Sequence, residues 1–162
     1  MIVAGADPAY GATGSFSSLK WDKRFLDLAE HVSKWSKDPS TQVGAVIVRP
    51  DNTIVSLGYN GFPRGVNDSP QNLHNREHKY PRVVHAEVNA ILMAKEPLAN
   101  CTLYVTPLSP CSSCAGVIIQ SGIRRVAFRS AYIGPEKWNA SFAISAEMFE
   151  QAGVIWKRYD VD

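Results

Sequence analysis

Trp21, Phe25, Leu28, Ala29, Val32 and Trp35 recur at three- and four-residue spacing, which predicts an amphipathic helix over Lys20–Lys34. Asp38-Pro39-Ser40-Thr41 breaks it. The apolar run Val43–Val48, the turn Pro50-Asp51-Asn52 and a second run from Ile54 to Gly58 predict an antiparallel hairpin. Gly58–Arg82 is polar and rich in Gly, Pro and Asn, and loops of that length within a domain tend to be functional. Val84, Val88, Ile91 and Leu92 mark a second helix reaching Ala94 or Lys95, and Leu103–Val105 a third strand. A third helix over Cys111–Gly122 closes on Gly122 as the residue after the cap. Arg125–Phe128, Asn139–Ala152 and Val154–Trp156 then read as strand, helix and strand. The later strands alternate with helices, so the expected class is α/β: a three-layer α/β/α sandwich around a five-stranded mixed sheet. Residues 1–19 are rich in Gly, Ala and Ser without any period and are expected to form a flexible N-terminal arm, leaving 20–162 as one domain.

Composition narrows the class without changing it. A chain of 162 residues is one ordinary domain. With 45% hydrophobic and 20% charged residues, bulk disorder is excluded. No apolar run approaches the ~20 residues that span a bilayer. No basic segment precedes an apolar one near the N-terminus, so a cytoplasmic protein with no membrane partner is expected. The net charge is only +2 and the basic residues are scattered, so no nucleic-acid partner is expected. The three cysteines, Cys101, Cys111 and Cys114, are too few and odd in number for a disulfide framework, and point to a metal or to chemistry.

The chemistry lies in His85-Ala86-Glu87 and Pro110-Cys111-Ser112-Ser113-Cys114. His-x-Glu followed by Pro-Cys-x-x-Cys is the pattern of zinc-dependent nucleobase deaminases. Cys111 and Cys114, at i and i+3, share one face of a helical turn, and a helix N-terminus favours their thiolates. His85 completes a set of three donors. Three protein ligands leave the fourth tetrahedral position of zinc for water, whereas a structural zinc takes four. Zinc lowers the pKa of such water to about 7. Glu87 is the candidate proton shuttle. In an ideal helix it would point roughly 200° from His85, so the first turn must be open for the two to meet. A lone Cys-x-x-Cys also fits a redox pair or structural zinc; it is the combination that points to catalysis. Cys101 precedes an apolar strand and reads as core. His74 and His78, at i and i+4, could share a face of a short helix and hold a second metal, or lie in a solvated loop. His31 reads as a surface or core residue.

Beyond the zinc pattern, His85–Ile91, Ser36-Lys37-Asp38-Pro39, Gln42-Val43-Gly44-Ala45 and Gly58–Gly65 resemble the deoxycytidylate (dCMP) deaminases, over about residues 21–158. The resemblance implies a cytidine deaminase-like fold and the hydrolysis of dCMP to dUMP and ammonia, feeding thymidylate synthesis. It implies Zn2+ on His85, Cys111 and Cys114, proton transfer by Glu87, and substrate contacts at Asn60, Ala86 and Tyr132. Tyr132 could equally anchor its loop. Ser36 and Lys37 are candidates for the 5′-phosphate, against a role in capping and solvation. Arg64 is a further phosphate candidate, against a solvated loop arginine. Gly58–Asp68, with Tyr59, Asn60, Gly61 and Arg64, is the implied place for an allosteric nucleoside triphosphate with Mg2+, dCTP activating and dTTP inhibiting, in a homo-oligomer, by resemblance a hexamer. The competing classes are another deaminase of this fold, acting on tRNA adenosine, a free base or a riboflavin precursor, and a non-enzymatic nucleotide sensor. The low charge disfavours the first with tRNA, Tyr59-Asn60-Gly61 and Asn89 favour a nucleotide, and a sensor has no need of Glu87.

Overall fold

The computed structural model describes residues 19–130 and 136–160. Helix α1 (Leu19–Ser33) leads into the hairpin β1 (Gly44–Val48) and β2 (Ile54–Tyr59). Two short helices, α2 (Pro70–His74) and α3 (Arg76–Lys79), precede α4 (Ala86–Met93). The chain continues through β3 (Thr102–Thr106), α5 (Ser112–Gln120), β4 (Arg125–Arg129), α6 (Glu136–Ala152) and β5 (Ile155–Tyr159). The sheet order is β2-β1-β3-β4-β5. β1 is antiparallel to β2 and β3, whereas β3, β4 and β5 run parallel.

Period-two alternation splits the core between the two faces of this sheet. Ala45, Ile47, Leu103, Val105, Val126 and Phe128 join Ala86, Ala90, Ala115, Ile118 and Phe149 of α4, α5 and α6. Val46, Val48, Tyr104 and Ala127 join Phe25, Leu26 and Ala29 of α1. Helices cover both faces, so the architecture is the expected three-layer sandwich, and the central strands are apolar throughout because neither face meets water. Among the described residues no helix is long and apolar enough to cross a membrane.

Three features differ from the pattern. Helix α1 begins at Leu19, the last residue of the expected arm and one residue before the expected helix start, and the rest of that arm lies outside the described residues. The polar stretch from Gly58 to Arg82 contains α2 and α3, held by side-chain caps: Ser69 Oγ accepts from Asn72 N and Asn75 Oδ1 from His78 N. Helices of one turn show no apolar period, so their caps are their only sequence signal.

The third feature is a buried polar cluster on the α1 face. Asp22 is fully buried. Arg125 donates to its two carboxylate oxygens at 2.9 and 2.6 Å, Tyr104 Oη donates at 2.8 Å, and Tyr159 Oη donates as well. Burial pushes the Asp22 carboxyl up, but the hydrogen bond and charge of Arg125, with the two tyrosines, hold it below the usual carboxylate range. The native state therefore binds fewer protons than the unfolded chain at mildly acid pH. The resulting stability is present above pH ~4 and is lost as pH falls through the depressed native value. Arg125→Met strands a buried carboxylate and is expected to cost about 3–5 kcal/mol at pH 7. In urea unfolding the gap to wild type should narrow below pH 4; a gap independent of pH would show that the ion pair does not govern this cluster.

Candidate active site

His85 and Cys111 occupy equivalent places at the starts of two helices. His85 is the N-cap of α4 (φ −71°, ψ 154°) and Cys111 the N-cap of α5 (φ −74°, ψ 169°), both extended. An N-cap side chain ordinarily accepts a hydrogen bond from its helix. Neither does so here; the imidazole and the thiol turn toward each other instead. Cys114 lies in the first turn of α5. His85 Nδ1 is 3.2 Å from Cys114 Sγ and 3.5 Å from Cys111 Sγ. All three ligand atoms fall within 4.8 Å of one another, and among the described residues this is the one His, Cys or carboxylate group so arranged. Tetrahedral zinc with bonds of about 2.0 Å to nitrogen and 2.3 Å to sulfur sets such pairs about 3.5 Å apart. The donor set fits the ion and supplies three ligands.

The electrostatics agree with a cation between them. The hydrogen bond from Cys114 outweighs burial and, with His85, brings the Cys111 thiol down to about 4. The same contact with Cys111, together with burial, pushes the Cys114 thiol up. Two sulfurs this close cannot both ionise cheaply unless a positive charge joins them. The amide ends of α4 and α5 add partial positive charge at the same place. Glu87 is 4% exposed, and burial pushes its carboxyl above the usual carboxylate range. Its side chain also meets the Cys114 thiol and feels the charge of His85. The ideal-helix offset between His85 and Glu87 does not apply, because His85 is extended and stands outside the helix.

Backbone contacts bring the parts together. A Cβ on Gly58 of β2 would sit 2.4 Å from both Ala86 O and Ala90 N, so only glycine lets β2 approach α4 this closely. Gly61 N donates to Val84 O at 3.1 Å and Val84 N to Gly61 O at 2.8 Å, placing Asn60 and Gly61 beside the residue that precedes His85. Asn89 Nδ2 donates to Tyr59 O at 2.8 Å. None of these contacts has a periodic signature, and sequence reasoning missed them; Gly58 itself was the only visible cue.

The other expected residues fare unevenly. Asn60 is buried; its Oδ1 accepts from Val43 N at 2.8 Å and its Nδ2 donates to Thr41 O at 2.9 Å. Those bonds use half of an amide's hydrogen-bonding capacity. Ser36, expected as a phosphate donor, is a buried strut: its hydroxyl donates to Asn60 O at 2.8 Å and accepts from Asp38 N at 3.2 Å, so its one proton is committed. Ala86 offers no side chain to a substrate, because its methyl is fully buried in the core. Lys37 is exposed and pairs with Asp68 at 2.8 Å. Arg64 lies against Met93 Sδ at 3.3 Å, at the end of α4 remote from His85. Tyr59 is exposed and packs edge-on to Trp35. Tyr132 lies outside the described residues. His74 and His78 fall on separate helices, with extended Asn75 between them, and do not share a face. His31 is exposed beside Trp35, and Cys101 is core. Lys79, which the sequence did not single out, is buried; its Nζ donates to Asp38 Oδ1 at 3.1 Å and Ser40 Oγ at 3.3 Å, fixing the loop that Asn60 grips.

Residues 19–130 match the family described as the cytidine and deoxycytidylate deaminase zinc-binding region. The chain is 48% identical over 151 residues to an uncharacterized deaminase in the luxG 3′ region of Aliivibrio fischeri, covering 88% of this chain and 97% of that one. It is 50% identical over 146 residues to the probable deoxycytidylate deaminase of Caenorhabditis elegans, covering 86% of this chain and 70% of the relative. The crystal structure of dCMP deaminase from the cyanophage S-TIM5 in complex with dCMP and dUMP has a TM-score of 0.71 at 24% identity, covering 89% of this chain and 100% of that one. At that identity the likeness is one of fold.

Proposed function

Since the chain belongs to the cytidine and deoxycytidylate deaminase family, we propose that this hydrolytic deaminase converts dCMP to dUMP and ammonia. The observation that carries the reading is the buried Glu87 carboxyl beside a three-donor cluster of His85, Cys111 and Cys114. Zinc held by those three residues supplies Lewis acidity that makes water nucleophilic at neutral pH. Burial keeps Glu87 basic enough to take a proton from the attacking water, and acidic enough, once protonated, to pass it on. Glu87 delivers that proton to N3 of the cytosine ring, takes the second proton from the new hydroxyl at C4, and passes it to the amine, which leaves as ammonia as the C4 carbonyl forms. Water adds and ammonia departs, so the reaction needs no further reactant. Asn60, rigidly held by Thr41 and Val43, is suited to hold the nucleoside. Ammonia release from dCMP, CMP, dCTP, deoxycytidine, cytosine and adenosine-bearing tRNA tests the reading. dCMP should be the best substrate, and a preference for any other would reassign the enzyme.

Lys37 is the proposed phosphate contact, with the phosphate replacing its exposed partner Asp68. Lys37→Ala should raise KM for dCMP by about tenfold and leave KM for deoxycytidine unchanged; an equal rise for both would show that the lysine does not sense the phosphate. Regulation by dCTP and dTTP with Mg2+ at Tyr59, Asn60, Gly61 and Arg64, and assembly into a homo-hexamer, belong to the same proposal. They are read by adding the two triphosphates to the assay and by sedimentation.

A further inference from the structure

Helix α5 begins at a ligand position, so its first amides lack the cap that Ser or Asp would give from Cys111's place. Helix α6 supplies one from elsewhere in the chain. Ser141 Oγ accepts a hydrogen bond at 3.1 Å from the backbone N–H of Ser112, the first residue of α5. One turn along α6, fully buried Ser145 has its Oγ 2.9 Å from Pro110 O and 3.0 Å from Ser141 O. Being four apart, the two serines share a helix face. Together they hold the peptide groups on both sides of Cys111: the carbonyl of Pro110 before it and the amide of Ser112 after it. Those two peptides set the φ and ψ of Cys111, and so the direction in which its sulfur leaves the backbone. Docking of α6 does not depend on these hydroxyls, because Phe142 packs edge-on to Phe128 and Trp156, and Phe149 is fully buried in the core.

We propose that Ser141 and Ser145 are positioning residues for the deaminase: a cap delivered by α6 that aims the Cys111 sulfur at the point it shares with His85 and Cys114. The inference rests on Cys111 being a zinc ligand. It assigns to α6, which contributes none of the three ligands, control over how firmly the ion is held.

The test uses zinc-loaded wild type, Ser141→Ala, Ser141→Thr and Ser145→Ala. It reads the rate of zinc transfer to a chromogenic chelator, kcat and KM for dCMP, and Tm. Ser141→Ala is expected to release zinc about tenfold faster and to lose a similar factor in kcat, with KM within about twofold, as for other residues that orient a metal ligand. Ser141→Thr keeps the hydroxyl and should return both to wild-type values. Ser145→Ala should resemble Ser141→Ala; if buried Ser145 proves necessary for folding, the two Ser141 variants decide alone. Wild-type zinc release and kcat in Ser141→Ala, even with a lower Tm, would overturn the proposal while leaving the zinc site intact. A wild-type protein that holds no zinc would overturn both.

Discussion

Glu87→Gln is expected to lower dCMP turnover by about 10²- to 10⁴-fold while zinc content stays at the wild-type level. The change keeps size and hydrogen-bonding shape and removes only the ability to accept and return a proton. That loss corresponds to about 3–5 kcal/mol of barrier, the usual share of a positioned acid–base group. Glu87 sits in the first turn of α4, where burial, the largest influence, opposes its charge; its own backbone N–H favours the carboxylate, and the Gln side-chain oxygen can still accept from that N–H. Folding and zinc retention should therefore be unimpaired, and the variant should bind dCMP about as tightly as wild type. Steady-state kinetics with elemental analysis checks the prediction. Wild-type turnover in a zinc-replete variant would remove Glu87 from the proton path.

Cys111→Ala is expected to empty the site. Only three donors converge there among the described residues, so losing one leaves two, too few to hold zinc against dialysis. Deamination should fall to background. Stability should respond in parallel, because a ligand that binds only the native state stabilises by mass action. At zinc concentrations about a thousandfold above the dissociation constant this is about 4 kcal/mol. Wild type should therefore gain Tm on zinc addition and Cys111→Ala should not. Full metal occupancy of Cys111→Ala would contradict the ligand set.

Features that depend on local period or on a short contiguous motif were legible in the sequence. Phe25, Ala29 and Val32 marked α1, and Gly122 took its expected place after the cap of α5 with φ +85°. His85, Glu87, Cys111 and Cys114 came together as the spacing suggested. Features that depend on contacts between distant residues were not legible. Asp22 shares a helix face with Phe25, Leu26 and Ala29, but no local pattern reveals what neutralises it there: Arg125, more than 100 residues away. Ser36 looked like an open hydroxyl beside a lysine, and only the fold shows its proton spent on Asn60 O. Arg64 belonged to a motif near the site, but its side chain follows α4 to Met93. In each case the polar partner lies 24 or more positions away, beyond any pattern that a helix or strand imposes.

The decisive measurement is a zinc titration of metal-free wild-type protein, with ammonia release from dCMP followed at each addition. Activity should be absent at the start, rise linearly, and level off at one ion per chain. Full dCMP turnover before any zinc is added, or zinc bound at one per chain with no ammonia released, would contradict a zinc-dependent dCMP deaminase built on His85, Cys111, Cys114 and Glu87.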